Sequence, residues 1–227
     1  MNFSSITGVI PVRAGSKGIP GKNLKLFCGK PLVVWTIEQM QAAGIQNVIV
    51  TTDSLEIASI AKQSGARIVI RPDELSTDLS SSEGAIMHAL VECEVEKSSL
   101  VIFAQATSPV RHFSHFKTAI ELFSESDLDS MFSACRIDDL TSWTEAGEIV
   151  ELDKASGDGV RTPRQLRPRR FVETGSFYLT MAESLLKSGS RLSGATKPFE
   201  VPKWTMNELD EAEDWNLCEI LMREYVL

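Results

Sequence analysis

The run Val12-Arg13-Ala14-Gly15-Ser16-Lys17-Gly18-Ile19-Pro20-Gly21-Lys22-Asn23 carries three glycines and three cations. Glycines allow a tight turn that brings backbone N–H groups against an anion. Arg13, Lys17 and Lys22 add charge of the matching sign, so the chemistry on offer is phosphate binding. The run is neither of the common nucleotide loops. Five residues separate Gly15 from Gly21, Asn23 follows Lys22 where a P-loop has Ser or Thr, and Pro20 interrupts a GxxGxxG spacing. A second cationic feature is the cluster Arg161, Arg164, Arg167, Arg169 and Arg170 around Gln165. Guanidinium groups grip carboxylate or phosphate bidentately, so such a cluster on an acidic chain points to a small anionic ligand. His112 and His115 have HxxH spacing, but no second group of ligands accompanies them, and they read as ordinary histidines. No Gly-x-Ser-x-Gly elbow supports a serine hydrolase.

Composition narrows the partners. Against 23 Lys and Arg stand 31 Asp and Glu, a net charge of −8, which argues against a general binder of nucleic acid. The four cysteines, Cys28, Cys93, Cys135 and Cys218, are scattered without a CxxC pair. That spacing speaks against disulfides or zinc and fits a reducing cytoplasm. The longest uncharged stretch, 39–52, has 14 residues rich in Gln, Asn, Gly and Thr, short of the ~20 apolar residues of a membrane span. The N-terminus has no signal-peptide pattern.

The elements that must hold these residues alternate between two periods. Ile6–Val12, Asn47–Thr52, Ala66–Ile70 and Leu100–Phe103 read as buried strands. Pro31–Ala43, Ser54–Gln63 (with Asp53 as its cap), Ser81–Glu94 and His115–Phe123 read as helices between them. Strands alternating with helices of this length build βαβ units around a mainly parallel, doubly wound sheet. Ligands bind such sheets beyond the carboxyl ends of the strands, so the segments starting at Arg13, Asp53, Arg71 and Gln105 should line the site. Ser130–Cys135 is extended, and Phe171–Thr180 is a strand. Met181–Lys187 and Ala212–Tyr225 are helices. The pattern fails between about Ile137 and Arg170, where an antiparallel excursion or flap is expected. One domain spans 1–227, with about 137–203 as the excursion.

The stretch IPVRAGSKGIPGKNLKLFCGKPLVVWTIE resembles the N-terminal signature of the acylneuraminate cytidylyltransferases. The resemblance continues through VIVTTDSLEIASIAKQSGARIVIRPDELSTDLSSS, QATSPVR, ETGSFYL and ELDEAEDW, in the family's order over nearly the whole chain. It implies a Rossmann-like fold that transfers CMP from CTP to a nine-carbon α-keto acid sugar, with release of pyrophosphate. Arg13, Ala14, Gly15, Lys22 and Asn23 would hold the nucleotide with Arg71 and Ser82, and Arg13, Lys22 and Asp210 would be catalytic. Gln105, Arg164, Gln165 and Tyr178 would meet the sugar, although Tyr178 on a strand is equally a packing residue. Arg71 could instead pair with Asp73 or Glu74. Thr107, Ser108 and Arg111 are open between ligand contacts and residues that shape the loop. Glu208 and Asp210 align with the family's Asp-Ile-Asp, which holds Mg²⁺; Glu208 departs from it by one methylene, and either carboxylate could be the base. Asp214 would cap the last helix. Thr174 stands where the family has Asn, which changes sugar preference if that residue meets substrate and little if it only shapes the turn.

The resemblance also implies a homodimer, with the excursion or the stretch Ser188–Lys203 as an arm across the partner. Two other readings compete: the same reaction on legionaminate, pseudaminate or 3-deoxy-manno-octulosonate, and a noncatalytic sugar-nucleotide-binding protein.

Overall fold

A computed structural model describes residues 3–15, 18–77, 79–137, 143–148, 165 and 169–227. Along the chain lie β1 (Ile6–Pro11), β2 (Leu26–Phe27), β3 (Lys30–Pro31), α1 (Leu32–Ala42), β4 (Asn47–Thr52), α2 (Leu55–Gln63), β5 (Arg67–Ile70) and α3 (Ser82–Glu92). These are followed by β6 (Leu100–Ala104), α4 (Phe113–Ser124), β7 (Ser130–Ile137), β8 (Arg170–Met181), α5 (Ala182–Ser188), β9 (Thr196–Glu200) and α6 (Ala212–Tyr225). A seven-stranded sheet runs β5-β4-β1-β6-β8-β7-β9, and β2 pairs with β3 as a separate antiparallel ribbon. The pairs β4–β5, β1–β4, β1–β6 and β7–β9 are parallel; β8 alone runs against its neighbours. The expected mainly parallel α/β sheet is what the chain forms.

Both faces of the sheet are covered, which is why its strands read as unbroken apolar runs. Ile10, Ile102 and Phe177 point to one side, where Ile37 and Met40 of α1, Ala61 of α2 and Phe116 of α4 pack. Their neighbours Val9, Phe103 and Tyr178 point to the other, against Ile86 and Leu90 of α3 and Leu185 of α5. A third cluster joins α6 to the β2–β3 ribbon through Trp215, Phe27, Leu209 and Ile19.

Local details differ from the sequence reading. Pro31 closes β3 and stands just before α1 rather than inside its first turn. The cap of α2 is Ser54, whose Oγ accepts from Ile57 N–H at 3.3 Å, and not Asp53. A serine cap is as good as an aspartate, and Asp53 is engaged elsewhere. Ser188–Lys203 is not a free arm, because Thr196–Glu200 pairs with β7 and forms the sheet's last strand. Much of the expected excursion, including Arg161, Arg164 and Arg167, lies outside the described residues. No helix among those described is long and apolar enough to cross a membrane.

Burial, with the charges of His112 and Arg111, pulls the His115 imidazole down to about 4. Its ring packs on Trp204, with centroids 5.5 Å apart. A histidine held below its unfolded value near 6.5 takes up its proton more readily in the unfolded chain. Stability is therefore lost as pH falls from about 6.5 to about 4. Partial solvent contact reduces this to roughly 1–3 kcal/mol. His115→Phe keeps the ring packing without a titrating group, so urea unfolding should give a flatter stability profile across that window. An unchanged slope would remove His115 from the acid response.

Candidate active site

The opening loop leaves β1 at the carboxyl edge of the sheet and is fixed there by side chains. Val12 N–H still reaches Thr51 C=O at 3.0 Å, and beyond it regular pairing stops. Asn23 Nδ2 then donates to Arg13 C=O at 3.1 Å, and Asp53 Oδ1 accepts from Ala14 N–H at 2.8 Å. The buried Arg71 donates through Nη2 to Val12 C=O and to Thr51 C=O, the latter at 3.1 Å. Arg71 thus grips backbone and does not pair with Asp73 or Glu74. Its Nε–H and the Asn23 Oδ1 are buried and have no partner among the described residues.

Opposite this loop stands the segment Asn207–Glu211, held by contacts with the loop and with Thr107. Lys22 Nζ donates to Leu209 C=O at 2.7 Å and lies 3.3 Å from Asp210 Oδ1. Leu209 N–H donates to Thr107 C=O at 2.8 Å. Gly18 passes so close to Asp210 C=O that a Cβ there would collide with backbone. Asp214 accepts from Asp210 N–H and Glu211 N–H at 3.0 and 2.7 Å, completing a capping box with Glu211 at the start of α6.

Behind the acidic pair, β8 bulges. Phe132 faces Tyr178 and Ala134 faces Glu173, so the residues between Glu173 and Tyr178 loop out of register. Thr174 is buried in this bulge. Its hydroxyl meets Ser133 Oγ at 2.7 Å and accepts from Ser176 N–H at 3.4 Å, which is a turn-shaping role. Gly175 has φ +67, and its missing Cβ leaves the space that Glu208 Oε1 fills. Arg111, fully buried, donates to Gln39 Oε1, Thr36 Oγ1, Gln105 C=O and both oxygens of Ser176, at 2.6–3.0 Å. That fixes Arg111 as a residue that shapes the site. Burial pulls its guanidinium down to about 9, with the Glu208 charge opposing. Glu208 is itself pushed up to about 7 by burial and by Asp210, while Ser108, Lys22 and Arg111 pull the other way.

A cavity of about 430 Å³ separates loop from acidic segment, lined by Arg13, Gly15, Lys22, Asn23, Ser82, Gln105 and Asp210 among others. A second, of about 260 Å³, is lined by Arg71 and Ser80–Ser82 and shares Pro11, Arg13 and Ser82 with the first. The larger has the volume of an ordinary small-ligand site, commonly about 300–1,000 Å³. Gln105, its Oε1 accepting from Thr107 Oγ1 at 3.2 Å, is on the wall of the larger cavity. Tyr178 lines neither cavity; its ring stacks on Phe103 at 5.3 Å and its hydroxyl donates to Glu173 Oε2 at 2.9 Å. Gln165 is exposed, and Arg164 lies outside the described residues. Sequence reasoning missed Phe103 and Glu211 on the cavity wall, where Thr107, left open from sequence, also stands. It put Asp53 at the head of a site-lining segment but not its bond to Ala14, because the TDS run at the end of β4 reads equally well as a helix start.

The residues fit a hard divalent cation. Glu208 and Asp210 offer oxygen donors only, close enough for Asp210 to raise the proton affinity of Glu208. Among the described residues no third His, Cys, Asp or Glu joins them. Two carboxylates completed by water and phosphate oxygens are a usual Mg²⁺ environment.

A doubly wound sheet, a glycine-rich cationic loop at its carboxyl edge and an acidic segment that lines the same cavity through Asp210 and Glu211, with Glu208 set behind it against Gly175, together define a nucleotidyltransferase-type α/β protein. The chain belongs to the cytidylyltransferase family, whose model matches residues 7–179. It is 33% identical over 225 residues to N-acylneuraminate cytidylyltransferase A of Danio rerio, covering 94% of this chain and 50% of that protein. It is 30% identical over 230 residues to the CMP-N,N'-diacetyllegionaminic acid synthase of Legionella pneumophila, covering 96% of each. The chain spans about half the length of the Danio rerio and Streptococcus agalactiae N-acylneuraminate cytidylyltransferases it matches. In fold it is similar to CMP:2-keto-3-deoxy-manno-octonic acid synthetase, solved with CTP, at a TM-score of 0.72 and 17% identity, covering 98% of this chain and 100% of that one.

Gly18→Ala and Gly175→Ala should both push the acidic segment out of place, with different effects on stability. Gly18 is at an exposed loop, so thermal unfolding should shift little, within about 0.5 kcal/mol. Gly175→Ala also forces a left-handed alanine, worth about 1–2 kcal/mol of destabilisation. Calorimetric titration with CTP and Mg²⁺ should show weakened binding in both; wild-type affinity in Gly18→Ala would contradict the close approach.

Proposed function

We propose that the protein transfers CMP from CTP to the anomeric hydroxyl of a nonulosonic, sialic-type acid and releases pyrophosphate. The observation that carries this reading is Lys22, a cation of the phosphate-type loop that touches both Leu209 C=O and Asp210 across the cavity. In the proposal the triphosphate lies along Arg13, Lys22 and the loop amides of Ala14 and Gly15, with Asn23 beside it. The pyrimidine enters the smaller cavity between Arg71 and Ser82, where the unpartnered Arg71 Nε–H can meet a carbonyl oxygen. Gln105, Arg164 and Gln165 orient the sugar acid.

The sugar hydroxyl attacks the α-phosphorus in line, an O–P bond forms, and the bond to the β-phosphate breaks. The hydroxyl proton passes to a carboxylate of the Glu208–Asp210 pair. Arg13 and Lys22 meet the charge that gathers on pyrophosphate, so positioning and charge neutralisation do most of the catalysis. Glu208 and Asp210 would hold a divalent cation, proposed to be Mg²⁺, which would supply Lewis acidity. A legionaminate-type acid is the second substrate reading, favoured by the Legionella pneumophila relative, which matches this chain end to end. A cytoplasmic homodimer completes the proposal, and light scattering gives the mass directly.

Pyrophosphate release should be far faster with CTP than with ATP, GTP or UTP, and a panel of N-acetylneuraminate, legionaminate, pseudaminate and octulosonate identifies the acceptor. No release with any acid would leave a sugar-nucleotide-binding protein. Arg13→Ala should lower turnover about 10²–10³-fold without unfolding the chain. Asp210→Asn should nearly abolish turnover while CTP still binds, and Glu208→Gln should be milder. A wild-type Mg²⁺ curve in Asp210→Asn would refute the metal role.

A further inference from the structure

Arg13 lies between two backbone groups that no strand partner fixes. On one side Val12 C=O is held by the Arg71 guanidinium; on the other Ala14 N–H is held by Asp53 Oδ1 at 2.8 Å. Asp53 is the first residue after β4, as Arg13 is the second after β1, and those strands are parallel neighbours paired from Thr7–Asn47 to Pro11–Thr51. The pairing therefore delivers the carboxylate alongside the loop. Asp53 has no duty in its own helix, because Ser54 caps α2 and Thr52 Oγ1 accepts from Ser54 N–H at 3.2 Å. It also lies within electrostatic range of Arg71. Both cavities are walled by Arg13.

We propose that Asp53 is a positioning residue: its hydrogen bond to Ala14 N–H fixes the turn of the opening loop and thereby aims Arg13 into the cavity. Asn23 Nδ2 holds the carbonyl of that same peptide at 3.1 Å, so without the Asp53 acceptor the peptide linking Arg13 to Ala14 keeps one anchor of two, its N–H edge can tilt, and the guanidinium loses its direction while the sheet and α2 stay intact. The role in turnover rests on the cytidylyl-transfer reading; the latch on the loop does not.

Two measurements test it. Amide hydrogen exchange read without nucleotide should show Ala14 protected in the wild type and in Asp53→Asn, which keeps an acceptor oxygen, and unprotected in Asp53→Ala. An Ala14 amide that exchanges freely in the wild type would overturn the latch whatever the variants do. Turnover with CTP and the accepted sugar acid should fall about 10–100-fold in Asp53→Ala, as a misplaced catalytic group does, and recover most of that in Asp53→Asn. In an Arg13→Ala background, Asp53→Ala should cost almost nothing further, because residues acting through one group are not additive. Full additivity would make Asp53 a merely structural residue and overturn the proposal. If the wild type releases no pyrophosphate at all, the reaction reading fails, and the exchange result still decides the latch.

Discussion

A single buried cation organises the carboxyl edge of this sheet. Arg111 has no access to water, and its guanidinium hydrogens are met by neutral acceptors on three separate parts of the chain: Thr36 and Gln39 of α1, Gln105 at the end of β6, and Ser176 in the β8 bulge. A charge so deep is tolerated only if every donor is satisfied. Those three elements must therefore sit at one fixed mutual distance. Gln39 tightens the knot by donating through Nε2 to the carbonyls of Pro109 and Arg111, both at 2.8 Å. The site inherits its geometry from this requirement. Gln105 is aimed by its carbonyl, and Gly175 is set beside Glu208 by Ser176, its neighbour.

Charge balance across the cavity follows from the same rigidity. Glu208 and Asp210 are held close enough to raise the proton affinity of Glu208, which stabilises neither alone. Lys22 and Arg111 offset them from two sides, Lys22 from the cavity wall and Arg111 from the core. Such an arrangement favours an incoming cation between the carboxylates and an incoming polyanion beside Lys22 and Arg13.

Direction of one strand decides where the bulge stands. Because β8 is antiparallel to β6, its middle meets the carboxyl end of β6, with Phe177 opposite Ala104 and Ser176 C=O accepting from Gln105 N–H. A parallel strand would have placed ETGS at the far edge of the sheet, away from every other ligand-facing segment. The antiparallel reversal is thus the reason that a motif some seventy residues from Gln105 completes its surroundings.

Much of this was legible from residues alone. Apolar strands alternating with helices fix a doubly wound sheet, since only layers on both faces can bury such strands. Glycines and cations at Gly15–Lys22 announce an anion site because their local chemistry needs no distant partner. Residues whose meaning depends on who arrives from elsewhere were not legible. Tyr178 read equally as a ligand contact and as packing, and only the structure shows Phe103 against its ring and Glu173 at its hydroxyl. Asp53 looked like a helix cap until Ser54 took that place and the neighbouring strand brought Ala14 to its carboxylate. Arg111 and Thr174 could be read either way; the structure buries both, Arg111 bonded to Ser176 and Thr174 to Ser133. Sequence determines what a side chain is able to bond; strand order and register decide which partner comes within three ångströms, and at this site that proximity settles the role.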